Sequence, residues 1–226
     1  MMEAILWLGC TVAIYWVSRR IYGLYPKLYL TPLLVTPVAV IALVEIAGVS
    51  FESYNKGGEW LTGMMEPATI ALSVLLYKHL DVLRNHAYVI AASVSCGSLA
   101  AIVTSAGLAH LFGLRAELVS SLAPRSATTP VALAVSHMTG GITSVTALAT
   151  LITGLLGILV GPLIIKWFHF QSPVSRGVLL GTSAHSAGIR QALEYSPVSG
   201  SIAMVSMMLA SFITLCGTPW IVWLFR

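Results

Sequence analysis

The stretch ELVSSLAPRSATTPVALAVSHM, residues 117–138, decides how this chain is read. It is apolar enough to enter a membrane, yet Pro124, Arg125, Ser126, Thr128, Thr129 and Pro130 crowd its centre. Proline removes an amide donor and frees the carbonyl four residues earlier. Unpaired backbone is costly in hydrocarbon unless protein or a water-filled cavity satisfies it. The stretch is too broken to be a plain span, and a segment that dips in and returns is the expectation.

Apolar runs flank it at about 4–18, 29–49, 60–80, 87–112, 143–166 and 200–225, with a second broken stretch at about 174–193. Hydrophobic residues make up 57% of the 226 residues and charged residues only 9%, against about 25% charged in soluble domains. Mean hydropathy is +0.88. These values exclude disorder and leave too little polar surface for a soluble domain. The net charge of +4 comes from scattered Lys and Arg rather than a basic stripe, so nucleic acid is not an expected partner. At roughly 20 apolar residues per span, the length holds about seven or eight helical segments. The expected fold is an all-α polytopic protein embedded in a lipid bilayer, one membrane domain over 1–226.

Charge placement refines the topology. Arg19 and Arg20 follow the first apolar run instead of preceding it, which predicts an uncleaved first helix with its C-terminal end in the cytoplasm. If both broken stretches cross, basic residues divide almost evenly between the two sides. If 117–138 re-enters, Arg19, Arg20, Lys27, Lys78, Arg84, Lys166 and Arg176 share one side, opposed by Lys56, Arg115 and Arg226. The positive-inside rule favours the second arrangement.

Three breaks gather the polar residues. They are Glu66-Pro67-Ala68-Thr69, the block from Pro124 to Pro130, and Gly181-Thr182-Ser183-Ala184-His185-Ser186-Ala187-Gly188. Pro67, Pro124, Pro130, Gly181 and Gly188 are the expected helix breakers. Residues 68–72 also weakly resemble 127–133, and paired broken segments are the usual pointer to a transporter site near the midplane. All three breaks are expected to converge there.

Arg125 is the most informative residue. Its guanidinium fork matches a carboxylate, and Ser126, Thr128, Thr129, Thr69 and Ser183 offer hydroxyls for the same anion. The competing reading is an arginine that snorkels to the headgroups. His185 titrates near neutrality when unperturbed and is a proton-coupling or substrate-binding candidate; a packed, satisfied ring is its alternative. Glu66 is the second proton-coupling candidate, because intramembrane carboxylates are functional by default, though it stands close to the start of its run.

Enzyme chemistry is not expected. The chain has no HExxH, phosphate loop or dinucleotide fingerprint, and Ser199-Gly200 lacks the flanking glycine and paired His of a serine nucleophile. Cys10, Cys96 and Cys216 stand alone in apolar runs, so neither a disulfide framework nor a metal site is indicated, and no cofactor is expected.

From about residue 60 onward the chain resembles the LrgB/CidB family of antiholin-like proteins. The resemblance rests on Pro67-Ala68-Thr69, Leu76-Tyr77-Lys78, the block Pro124–Pro130, Gly140-Gly141, Thr146-Ala147, Thr153-Gly154 to Gly161-Pro162, Arg176-Gly177, and Gly181 with His185 and Gly188. One departure is Ile189, where the family usually has Thr. The resemblance implies a transporter-like fold, expected here as an inverted repeat, a bacterial inner (plasma) membrane location and a carrier of small monocarboxylates such as glycolate, glycerate or pyruvate. It also implies an LrgA/CidA-like membrane partner on a separate chain, and a homo-oligomer such as a dimer. The alternative it implies is a holin- or antiholin-like protein modulating murein hydrolase export and autolysis.

Overall fold

A computed structural model describes residues 2–25, 30–64, 67, 77 and 80–225. The chain divides into two compact units, Met1–Ser73 and Val74–Arg226.

In the first unit, α1 (Met2–Leu24) packs against α2 (Pro32–Ile46) and α3 (Phe51–Gly63). Trp7 and Tyr54 meet edge to face at 6.0 Å, and the Tyr54 hydroxyl lies 3.3 Å from Thr11 Oγ1. Helix α3 occupies 51–63, where the apolar runs imply only a connection over 50–59. Glu52, Asn55, Lys56 and Glu59 deprive this segment of an apolar run, but the Ser50 side chain accepts the Ser53 amide and starts the helix.

The second unit contains α4 (Leu80–Asn85), α5 (Ala87–Leu111), α6 (Ala116–Leu122), a 3-10 turn (Ala123–Ser126), α7 (Thr129–Met138), α8 (Thr143–Trp167), α9 (Pro173–Tyr195) and α10 (Pro197–Leu224). A recurrent Ser-Pro or Thr-Pro start explains several boundaries. Ser172 and Ser196 accept the amides of Val174 and Ser199, with Pro173 and Pro197 in the first turn, where their missing donors are harmless. Helices α1, α5, α8 and α10 are long and apolar enough to cross a membrane, in keeping with an all-α membrane protein.

Residues 117–138 form a re-entrant hairpin. Ser121 Oγ accepts the Ile142 amide at 2.7 Å, and Thr146 Oγ1 lies 3.0 Å from the Ser121 carbonyl and 2.7 Å from Ser136 Oγ. Both arms therefore lie against the first turn of α8. Arg125, at the tip, instead reaches Thr153, about ten residues and about 15 Å further along α8. That is roughly half the thickness of a hydrocarbon core.

The second broken stretch also doubles back, whereas the sequence singled out only the first for re-entrance. Helix α9 is interrupted at His185 (φ 52°, ψ −136°), so that 173–184 and 186–195 form two arms. Arg176 stacks on the Tyr195 ring at 5.1 Å, residues that an unbroken helix would hold about 28 Å apart. Gly188 lies against the Leu180 carbonyl, and Gly181 against the main chain of Ala203 in α10; a Cβ at either would collide with backbone. These two glycines were expected to break the helix. They are helical, and they serve close packing while His185 makes the break.

The hairpins start from opposite ends of α8. The first begins beside the end of α5, where Ala106, Ala109, Val119 and Val222 share one apolar cluster. The second begins at the other end, where Val174, Val178 and Val198 pack with Leu83 and Ile90. Arg84, Lys166 and Arg176 thus mark one end of the unit and Arg115 the other, the division that re-entrance of 117–138 requires.

Candidate functional site

The two tips meet at the middle of α8. Arg125 Nη1 donates to Thr153 Oγ1 at 3.1 Å, while His185 Cδ2 lies 3.8 Å from where a Cβ on the adjacent Gly154 would stand. His185 lies close enough to Arg125 for its ring to interact with that residue's main chain and its charge. Two of the three expected breaks therefore converge. Of the first break only Pro67 is described; Glu66 and Thr69 lie outside the described residues, and Pro67 belongs to the other unit.

Arg125 is held by neutral partners. Its Nε donates to Ser105 Oγ at 2.9 Å, and Ser105 in turn donates to the Leu122 carbonyl at 2.8 Å. Thr153 Oγ1 accepts from Arg125 while donating to the Ala149 carbonyl at 2.8 Å. Among the described residues, the single ion pair is the exposed Arg115–Glu117. Arg125 is half-buried at the centre of the unit, and among the described residues no carboxylate pairs with it. A charge in that position calls for a counter-ion, because an unpaired buried ion is expensive.

The surroundings favour an anion. Ser126 Oγ and His185 Nε2 are both buried and without hydrogen-bond partners. Thr128 precedes α7, its amide donating to Ser211 Oγ at 3.3 Å, so the positive end of a ten-residue helix starts at the first tip. The arm 186–195 likewise starts at the second tip. Each hairpin contributes one helix start, the arrangement by which broken membrane helices hold anionic groups. Beside Arg125 a cleft of about 310 Å³ runs between α8 and α9, reached by Thr153 and Ser183. Thr129 and Pro130 are exposed at the start of α7, Pro130 in its first turn and Pro124 in the 3-10 turn.

Of the residues expected at the site from sequence, Arg125, Ser126 and Thr128 stand at or beside the first tip, and Ser183 and His185 at the second. The sequence reading missed Ser105, Ser211 and the part played by Thr153. Single hydroxyls within long apolar helices commonly bond back to their own carbonyls, so spacing gives no sign of a partner far along the chain.

A profile of the LrgB-like family matches residues 11–224. The chain is 46% identical over 211 residues to the uncharacterized protein YwbG of Bacillus subtilis, covering 93% of this chain and 94% of the relative. It is 35% identical over 189 residues to the antiholin-like protein LrgB of Bacillus subtilis, covering 84% and 82%. With the holin-like protein CidB of Staphylococcus aureus it shares 30% identity over 223 residues, covering 99% and 97%. No solved structure matches. A match along nearly the whole chain, by profile and by these relatives, makes this protein a member of the LrgB-like family of multi-pass membrane proteins.

Proposed function

We propose that the protein is a secondary carrier of small monocarboxylates, with glycolate, glycerate and pyruvate the first candidates. The observation that carries this reading is Arg125, central, paired with no carboxylate among the described residues and clamped by neutral hydroxyls between two opposed re-entrant hairpins. A carboxylate docks on the free edge of the guanidinium, and Ser126 and His185 Nε2 complete its hydrogen bonding. Opposed hairpins give each membrane face its own route to one site, which alternating access requires. His185 and Glu66 are the groups proposed to carry a coupled proton. An LrgA/CidA-like chain is the proposed partner, and the bacterial inner membrane the proposed location, with the Lys166 and Arg176 end in the cytoplasm.

A holin- or antiholin-like role in autolysis is the second reading, and the names of the relatives speak for it. Proteoliposomes separate the two. A carrier gives saturable uptake of labelled glycolate, glycerate or pyruvate that Arg125→Ala abolishes, with no release of a trapped polar dye. A holin-like assembly releases the dye and takes up the acids without saturation or dependence on Arg125.

A further inference from the structure

The cleft beside Arg125 is polar at one end only. It follows α8 from Thr153 to Ile164, about eleven residues or about 16 Å. Arg125, Thr153 and Ser183 stand at its head, and beyond them the walls are apolar, formed by side chains such as Val160, Ile164 and Leu179. Both hydroxyl protons at the head are committed, Thr153 to the Ala149 carbonyl and Ser183 to the Leu179 carbonyl at 2.6 Å. Among the side chains that line the cleft, Arg125 is thus the remaining donor, and those beyond the head are apolar. The volume of about 310 Å³ also reaches the lower limit for drug-sized ligands, about 300 Å³, and so exceeds the needs of a two- or three-carbon acid.

We infer that the site prefers monocarboxylates bearing a hydrocarbon tail, with the carboxylate on Arg125 and the tail along Val160 toward Ile164, over short polyhydroxy acids. Hydroxyls placed against these apolar side chains would lose water, whereas each buried methylene is favourable. This inference rests on the proposed role of Arg125 as carboxylate anchor and adds the chemistry of the tail.

Competition for labelled pyruvate, measured by equilibrium binding to the full chain in lipid nanodiscs, tests it. Inhibition by propionate, butyrate, hexanoate and octanoate is expected to strengthen about two- to fourfold per added methylene, and glycerate to compete more weakly than butyrate. Val160→Trp, which fills the far part of the cleft, is expected to flatten the series, and Arg125→Ala to remove binding of every acid. A flat series with Arg125-dependent pyruvate binding overturns the tail preference and leaves the carrier reading intact. Octanoate binding that persists in Arg125→Ala overturns it too, since the cleft then takes acyl chains without reading the carboxylate. Absence of binding by any acid to folded protein removes both.

Discussion

The two hairpins reach the same depth by different chemistry. The first turns on prolines: Pro124 sits in a 3-10 turn, and Pro130 occupies the opening turn of the returning helix. The second has no proline at its tip and turns on one residue, His185, whose φ of 52° is a conformation normally left to glycine. Its arms close on each other through Gly188 and on α10 through Gly181. The first hairpin's break is therefore written into its backbone chemistry, while the second's is imposed by packing and stores strain beside the candidate site. Strained backbone of this kind persists only where surroundings over-determine it, often at functional positions.

The difference is open to direct attack, and the largest effects fall on packing. Gly188→Leu puts a side chain onto the Leu180 carbonyl, a backbone atom that cannot step aside. It is expected to cost more than the usual 1–3 kcal/mol of overpacking and to abolish folded protein in size-exclusion chromatography. Gly154→Ala, whose Cβ would meet His185 at an ordinary 3.8 Å, is expected to fold normally. Equal yields from the two variants would mean the arms of the second hairpin do not touch.

Next in size is the charge at the first tip. Arg125→Ala is expected to eliminate carboxylate uptake and Arg125→Lys to retain part of it, because lysine supplies charge without the fork. Hydrogen bonds to a charged group are worth about 1.5–3 kcal/mol, so at least about a tenfold loss of affinity follows. Full activity in Arg125→Lys at equal protein level would contradict the anchoring role.

At the second tip the expected order of stabilities is inverted from that of an ordinary helix. Glycine is normally about 1 kcal/mol worse than alanine in a helix interior. At position 185 the positive φ costs an L-residue roughly 1–2 kcal/mol, so His185→Gly should melt above His185→Ala in a detergent thermal ramp. The usual order, alanine above glycine, would show that the second hairpin bends without strain.

The smallest effect belongs to Ser211. Removing its hydroxyl leaves the Thr128 amide without its acceptor at the start of α7, and Ser211→Ala is expected to cost about 1 kcal/mol, an ordinary hydrogen-bond contribution, in the same thermal assay.

This comparison also explains what could be read from the sequence. Composition dictates a membrane protein, and prolines flanking an arginine mark the first hairpin because proline acts through its own covalent structure. Charge asymmetry around Arg115 and Lys166 gave the direction of its return. The second hairpin was legible as a break but not as a turn back. Gly181 and Gly188 suggest flexibility in a one-dimensional reading, yet their role is close contact with Leu180 and Ala203, residues that only folding brings near. The clamp on Arg125 was hidden for the same reason. Ser105 and Thr153 lie 20 and 28 residues away from it in sequence. Helix α3 was missed because a polar, amphipathic segment leaves no trace in a search for apolar runs.

Two hairpins inserted from opposite faces are the central claim, and side-specific labelling tests it most directly. With Cys10, Cys96 and Cys216 replaced by alanine, single cysteines are placed at the exposed positions Arg115, Met138, Gln171 and Glu194. Each protein is then treated with a membrane-impermeant maleimide in intact and in lysed cells. Labels at 115 and 138 are expected to react from one face, and labels at 171 and 194 both from the other. Reaction of 115 and 138 from opposite faces, or of 171 and 194 from opposite faces, would contradict the account by turning that hairpin into a span and carrying its tip out of the shared site.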